Sequence, residues 1–154
     1  MSSTTSKSNR GPLLGALLRI IYQANNEKLE RWLATSGFDN IQPAHSAAIQ
    51  PLWDAPEGAR ITTLARAARI TKQSMSALVD QLESAGYVER VADPDDARAT
   101  RVSLTARGRA FGRAVRAFGR SLEAEWAERI GTERVEELRA TLELLRSSVV
   151  RDDA

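Results

Sequence analysis

The chain contains no cysteine, which excludes disulfide bonds, thiolate catalysis and cysteine-based redox sensing. Histidine occurs only once, at His45. A zinc site would need carboxylates as its remaining ligands, an uncommon set for structural zinc, so we predict neither a metal site nor a cofactor. The sequence also lacks a plausible nucleophile–base pair and a phosphate-binding loop, and we therefore do not expect an enzyme.

Long apolar runs are missing as well. The longest extends over 13–22 and is interrupted by Gly15 and Arg19, whereas a membrane-spanning helix needs about 20 apolar residues. Residues 1–10 are polar and rich in serine and threonine, without the apolar core of a signal peptide. We expect residues 1–10 to form a disordered N-terminal arm, and the protein to be cytoplasmic with no membrane partner.

The distribution of charge along the chain is uneven. The whole chain has a net charge of +2, but residues 60–116 carry eleven basic and six acidic side chains, a net charge of +5. Residues 1–59 carry five of each sign, and residues 117–154 carry six basic and nine acidic side chains, a net charge of −3. A basic middle segment is typical of a nucleic-acid footprint, although a solvated arginine-rich surface has the same composition.

Both ends of the chain have apolar helical patterns that are too extensive for one small core. Residues 12–36 predict a helix whose leucines and isoleucines cover more than one face. We interpret 11–36 and 117–150 as dimerisation helices of a homodimer; packing of the last helix against the first within one chain is the alternative. The last helix, predicted over 133–149, has apolar residues at the spacing of a two-heptad seam: Val135, Leu138, Leu142, Leu145 and Val149.

The segment between these ends, 37–116, first predicts a series of short helices. A helix over 44–53 precedes a turn-rich stretch and a possible strand of one or two residues at 60–61. Thr62 is a suitable N-cap for a short helix that ends at about residue 68. Thr71 caps the next helix, 72–85, and the glycine at position 86 ends it.

A β-hairpin follows these helices. Two short strands over 87–91 and 100–104 flank the turn-forming residues 93–96. Thr105 then caps a long helix to about residue 128. Two helices followed by a hairpin describe a winged helix-turn-helix, so we predict a mainly α fold with a small β-hairpin wing, a DNA-binding domain over 37–116, and terminal dimerisation helices.

The helix over 72–85 has the two faces that a DNA-reading helix requires. Its apolar side chains follow the spacing i, i+3, i+4, i+7 and hold the core. The major groove admits one helix, in which glutamine can pair with adenine and a methyl group can touch thymine. A protein-binding helix would instead present aromatic or aliphatic anchors, and this interaction module is the alternative function. The predicted DNA-binding set is Thr71, Lys72, Gln73, Ser74, Ser76 and Ala77.

The hairpin carries more basic side chains than solubility requires. Arg90, Arg98 and Arg101 are expected to face DNA, with Arg98 at the tip, where a guanidinium can enter a narrow minor groove. Asp96 can pair with Arg98 and direct it. An ordinary surface ion pair, worth little, is the alternative reading of that pair.

Asp96-Ala-Arg98-x5-Leu104-Thr105-x2-Gly108 resembles the wing signature of the MarR (multiple antibiotic resistance regulator) family. The resemblance extends over about residues 12–150. It implies a homodimeric regulator with intertwined terminal helices that binds double-stranded DNA at a palindromic operator. It also implies repression relieved by a small aromatic ligand, Arg98 in the minor groove and Asp96 orienting it. One departure is Arg69, in a turn where the family commonly has glycine.

A ligand site is the least specific expectation from the sequence. Tyr22, Trp32, His45 and Trp53 could together line an aromatic pocket for a small aromatic effector, near the ligand crevice that the resemblance implies. The alternative is that these side chains simply pack the junction between the dimerisation helices and the DNA-binding domain.

Overall fold

The computed structural model describes residues 11–151, which form six α-helices, two short 3-10 segments and one β-hairpin. The predicted disordered arm, 1–10, lies outside the described residues. None of the helices in this part of the chain is both long and apolar enough to cross a membrane. The elements are α1 (Leu14–Leu33), α2 (Ser46–Ile49), α3 (Ile61–Ala68), α4 (Lys72–Ser84), β1 (Val88–Asp93), β2 (Asp96–Leu104), α5 (Ala106–Ile130) and α6 (Thr132–Arg151).

The predicted helix over 44–53 is present as three consecutive turns of different winding. The 3-10 segments Pro43–His45 and Gln50–Asp54 flank the single turn of α2. Proline occupies one of the first two positions of each 3-10 segment. Because proline lacks the N–H that an α-helical bond needs, a continuous α-helix is interrupted at Pro51.

The helix-turn-helix consists of α3 and α4. The predicted cap at Thr62 is wrong: α3 begins one residue earlier, at Ile61, with Arg60 as its N-cap. The chain leaves a backbone pairing between Ala59 and Val102 immediately before Arg60, so the tertiary pairing sets the start of the helix. Arg69 ends α3 in the left-handed region at φ 53°. The turn therefore keeps the geometry that favours glycine, although a non-glycine residue occupies it.

The caps of α4 are those that the sequence predicts. The Thr71 hydroxyl oxygen accepts the N–H of Ser74 at 3.0 Å. At the other end, Gly86 has φ 75°, and the N–H of Tyr87 donates to the carbonyl oxygen of Leu82 at 2.9 Å. This is the glycine C-cap with its six-to-one hydrogen bond.

The hairpin is longer than predicted and has an irregular end. Val88 pairs with Leu104 and Ala92 pairs with Thr100, but the next residue, Asp93, pairs with Asp96. The three residues 97–99 therefore have no partner on β1 and form a bulge in β2. Such a bulge redirects the side chains that it carries.

The core lies where α2, α3, α4 and the hairpin meet the N-terminal half of α5. Its fully buried side chains include Tyr87, Met75 and Leu52. Helix α5 approaches this core closely, because a Cβ on Gly108 would lie 2.0 Å from the carbonyl oxygen of Tyr87. Only a glycine permits this distance between helix and hairpin.

The terminal helices leave much of their apolar surface exposed within one protomer. Helix α1 is shorter than the predicted 12–36, and α6 is slightly longer than the predicted 133–149. The predicted domain boundary at residue 116 falls inside the continuous helix α5. The exposed large apolar side chains of these two helices and the residue preceding α1 are Leu13, Leu14, Leu17, Leu18, Ile20, Ile21, Tyr22, Leu138, Leu142, Leu144, Leu145 and Val149.

Candidate nucleic-acid interface

Helix α4 separates its side chains into a buried and an exposed face as predicted. Met75, Val79 and Leu82 are buried, and Leu78 is packed against them. On the other face, Lys72, Gln73, Ser74 and Ala77 are exposed and Ser76 is half-buried. The surface at the start of this helix is therefore small and polar, without a large apolar anchor.

The N-cap residue of α4 is not wholly free to contact a ligand. The hydroxyls of Thr71 and Ser74 lie 2.8 Å apart and hydrogen-bond to each other, in addition to the cap bond. Both side chains are nevertheless exposed. A hydroxyl that accepts one hydrogen bond can still offer its remaining capacity to a phosphate or a base.

The structure corrects the expected position of Arg98. The two-residue tip of the hairpin is Pro94-Asp95, between the ends of β1 and β2, whereas Arg98 lies at the centre of the bulge that follows. Its side chain is exposed. The bulge, rather than the tip, presents this guanidinium to the surroundings.

Asp96 contacts Arg98 in a different way from the one predicted. One carboxylate oxygen of Asp96 accepts the backbone N–H of Arg98 at 3.0 Å. Among the described residues, no carboxylate lies within ion-pair distance of the Arg98 guanidinium. Asp96 therefore shapes the backbone that carries Arg98, as aspartate side chains do in local turns, and it does not pair with the guanidinium itself.

A buried carboxylate, which sequence reasoning missed, lies at the base of the wing. The side chain of Asp93 is 0% exposed, and one of its oxygens is 2.6 Å from Nε of Arg60 and 3.2 Å from Nε of Arg101. Its other oxygen accepts the N–H of Asp95 at 3.0 Å. The hydrogen bond from Arg60 is the main reason that the pKa of Asp93 lies well below its usual value.

Arg90 joins the wing to the end of α4. Its guanidinium lies 2.6 Å from a carboxylate oxygen of Asp80 and also pairs with Glu83. The hydrogen bond to Asp80 is the main cause of the raised pKa of Arg90. This double contact holds the first wing strand against the helix.

The predicted cations of the interface therefore divide into two groups. Lys72 and Arg98 are exposed and form no ion pair with any other residue that the structure describes. Arg90 and Arg101 are engaged with carboxylates of the protein. That Arg90 and Arg101 also contact DNA stays a prediction.

The four residues proposed to line a ligand pocket lie in different environments. Tyr22 is 65% exposed on α1. Trp32 stacks on Phe118 with ring centroids 5.1 Å apart. His45 is buried; its Nδ1 accepts the N–H of Gln42 at 2.9 Å. The His45 ring proton is therefore on Nε2, which in turn donates to Gln81 at 2.7 Å. The protomer does not bring these side chains into one pocket.

Trp53 borders a small apolar cavity of about 30 Å³ between α1, α2 and α5. Its indole N–H is buried and has no hydrogen-bond partner in the part of the chain that the structure describes, which is unusual for a buried donor. The indole lies against Gly112, where a Cβ would be 2.6 Å from Nε1, and the guanidinium of Arg116 covers the ring at 5.0 Å. Trp53 is thus the one aromatic residue of the four with an unused polar group facing the protein interior.

A family model described as MarR family matches residues 41–99 of the chain. Among curated proteins, the HTH-type transcriptional repressor Rv2887 of Mycobacterium tuberculosis is 34% identical over 119 residues, covering 70% of this chain and 86% of that protein. The structure of the MarR family protein Rv2887 in complex with salicylic acid is 28% identical, with a TM-score of 0.66, and covers 90% of this chain and 99% of that one.

Two further solved structures show the same fold. A crystal structure of MarR is 23% identical with a TM-score of 0.79, and covers 95% of this chain and 97% of that chain. Streptococcus pneumoniae FabT in complex with DNA is 21% identical with a TM-score of 0.76, and covers 90% of this chain and 96% of that chain. This chain therefore shares its winged helix and its terminal helices with both of these structures, over 90% or more of its length.

Proposed function

This chain belongs to the MarR family, and we propose that it is a DNA-binding transcriptional repressor that binds a palindromic operator as a homodimer. One observation carries the proposal. The exposed start of α4 offers Lys72, Gln73 and Ser74, and Arg98, which forms no ion pair within residues 11–151, is exposed on the wing. These are the side chains that read base edges and contact phosphates in a winged helix. A protein-binding module is not favoured, because the same face has no large apolar anchor.

The homodimer is supported by the apolar surface of the terminal helices. A row of leucines and isoleucines on α1 and the seam on α6 are exposed in the protomer. Monomeric proteins rarely expose contiguous apolar patches of this kind. A second copy of the chain would cover both surfaces and bring two α4 helices to one side of the assembly.

Two copies of α4 suit two successive major grooves. Such half-sites lie about one helical turn apart, so we expect an inverted repeat with centres separated by roughly 10 base pairs. Gln73, Ser76 and Ala77 would contact bases, and Lys72 would contact the backbone. Because this activity requires access to the chromosome and no catalytic step, we place the protein in the cytoplasm and assign it no enzymatic role.

We also propose that a small aromatic acid regulates DNA binding. The relative Rv2887 has been solved with salicylic acid. In this chain Trp53 lines the cavity between α1, α2 and α5, and its buried indole N–H, which lies against Gly112 of α5, has no hydrogen-bond partner among the described residues. At about 30 Å³ this cavity is far smaller than the roughly 150 Å³ that holds a benzene molecule. Effector binding would therefore have to separate the helices. That separation would link ligand binding to the position of the DNA-binding domain.

The function is tested by selecting bound DNA from a random pool with the wild type, Gln73→Ala and Lys72→Ala. We expect the wild type to select an inverted repeat. Gln73→Ala should relax the base preference at one base pair per half-site. Lys72→Ala should weaken binding to all sequences alike, and the slope of log affinity against log salt concentration should fall by about one unit. If the wild type selected no sequence, the assignment as a sequence-specific regulator would fail.

A further inference from the structure

We propose that Arg60, Asp93 and Arg101 form a clamp at the base of the wing that positions Arg98 for DNA. In this role Arg101 acts through Asp93 and does not touch a phosphate. The inference rests on the proposed DNA-binding function and adds two positioning residues, Arg60 and Asp93, to it. It also changes the role expected for Arg101 from its sequence.

The backbone brings the first member of the clamp to the wing. Gly58 has φ 73°, and a Cβ there would lie 2.5 Å from the carbonyl oxygen of Val102. The next residue, Ala59, exchanges two backbone hydrogen bonds with Val102, at 2.9 and 2.8 Å. Arg60, the N-cap of α3, is thereby held beside the hairpin at the level of Arg101.

The carboxylate of Asp93 joins the elements that meet there. It contacts the guanidinium of Arg60, the N-cap of α3, and that of Arg101 from β2, and it also accepts the backbone N–H of Asp95 in the turn. All of this occurs on a side chain with 0% exposure. A buried carboxylate with three donors is held in one place, because any movement would leave a charge without partners.

The clamp continues to the residue that faces DNA. The second carboxylate in line, that of Asp96, lies 3.8 Å from Nη2 of Arg60 and accepts the backbone N–H of Arg98 at 3.0 Å. Arg98 lies in the bulge, where no strand pairing with β1 fixes its direction. The contacts from Arg60 to Asp93 and Asp96 therefore hold the backbone from which the Arg98 guanidinium extends.

Charge alone does not explain how this wing would attract DNA. The clamp and the bulge contain three arginines, Arg60, Arg98 and Arg101. The tip of the hairpin and the strand residues on either side of it contain three aspartates, at 93, 95 and 96. Two of the three guanidiniums are paired with those aspartates. The contribution of the wing to DNA binding thus depends on the direction of one guanidinium, that of Arg98, and not on a net positive charge.

This difference gives the test an unambiguous sign. Asp93→Asn removes a negative charge close to DNA, so a purely electrostatic wing should bind DNA more tightly after the substitution. A positioning clamp predicts the opposite result, because a misdirected Arg98 loses its contact. Asp95→Asn is the matched control, because it changes the charge at the end of the hairpin by the same amount. The Asp95 side chain is 77% exposed, and Arg101 is its one ion-pair partner within residues 11–151.

The experiment measures binding of the full-length protein to the DNA that the wild type selects from a random pool, in the wild-type and the Arg98→Ala backgrounds. We expect Arg98→Ala to weaken binding roughly tenfold to a hundredfold. Asp93→Asn should weaken binding by on the order of tenfold in the wild-type background and have no weakening effect in the Arg98→Ala background. Asp95→Asn should not weaken binding in either background.

Three results would overturn the proposal. Tighter or unchanged binding by Asp93→Asn is one, and an equal loss of affinity with and without Arg98 is the second. In the third, the wild type selects no DNA, and the proposed function then fails together with the clamp. A circular dichroism melt of each variant verifies that it is folded.

A second variant keeps the proposal testable if Asp93→Asn does not fold. Arg101→Gln leaves the Arg60–Asp93 contact in place. If Arg101 is a positioning residue, the loss of affinity disappears when Arg98 is already alanine. If Arg101 contacts a phosphate, the loss persists in the Arg98→Ala background and the salt slope falls by about one unit, which would refute the role proposed here.

Discussion

Replacing Gly108 by alanine should destabilise the protein although it places a better helix former in a helix. Gly108 lies in the first turn of α5, where an added Cβ would be 2.0 Å from the Tyr87 carbonyl oxygen and 3.1 Å from a methyl group of Leu104. The Tyr87 oxygen is a backbone atom and cannot rotate away from the added Cβ. The clash can be removed only if α5 moves away from the hairpin.

The magnitude follows from opposing contributions. Alanine in place of glycine favours a helix by about 1 kcal/mol, whereas forcing atoms into a packed core costs about 1–3 kcal/mol or more. The movement also strains the cap of α5, in which the hydroxyl oxygen of Thr105 accepts the N–H of Gly108 at 3.1 Å and the O–H of Thr105 donates to the Gly86 carbonyl oxygen at 2.6 Å. A lost cap costs about 1 kcal/mol. We expect a net loss of about 2 kcal/mol.

The assay is denaturant unfolding at a single protein concentration, because the stability of a dimer depends on concentration. Gly119→Ala in the same helix is the control, since nothing lies within 4 Å of a Cβ at that position. It should be neutral or stabilise the protein by up to about 1 kcal/mol. If Gly108→Ala were as stable as Gly119→Ala, the close approach of α5 to Tyr87 would not be the reason for glycine at position 108.

Three further predictions concern assembly, pH and the buried histidine. Leu142→Asp on the α6 seam should yield monomers or unfolded protein in sedimentation, because it would bury an unpaired charge. Leu144→Asp is the control and should remain dimeric, because the Leu144 side chain is 72% exposed and lies off the seam. The pKa of Asp93 is lower in the folded protein than in the unfolded chain. Its ion pairs therefore contribute fully to the free energy of unfolding above the unfolded-state pKa, and this contribution is lost as pH falls through the folded-state pKa. The difference in unfolding midpoint between wild type and Asp93→Asn should therefore be constant from about pH 5 to 8 and narrow below about pH 4; a difference that grew on acidification would contradict the ion pairing. His45→Ala should lower the free energy of unfolding by about 2–4 kcal/mol, because it leaves the Gln42 N–H without its acceptor and opens a cavity; equal stability of the variant in urea unfolding would show that these contacts are dispensable.

Features that depend on near neighbours in the chain could be predicted from the sequence. The caps at Thr71 and Thr105 and the glycine stop at Gly86 are all confirmed. Each is a contact over a few residues, so the residue types alone decide it. The division of α4 into a buried and an exposed face was also predictable, because helical periodicity sets it.

Features that depend on contacts between distant residues could not be predicted in this way. The pairing of Ala59 with Val102 moved the start of α3 from the position predicted from a good capping residue. The Arg60–Asp93 ion pair joins residues 33 positions apart, and many other carboxylates were available to Arg60. No pattern within either segment identifies its partner.

The wing shows the same division in a single element. The sequence alone predicted the hairpin and its basic residues. It also indicated the family, whose signature includes Asp96, Arg98 and Gly108, since these features depend on residue types at fixed spacings. Only the tertiary structure decided that a bulge presents Arg98, and that Arg101 is held by a buried carboxylate. The physical reason is that ion pairing and strand register depend on which surfaces meet when the chain folds, and composition and periodicity do not contain that information.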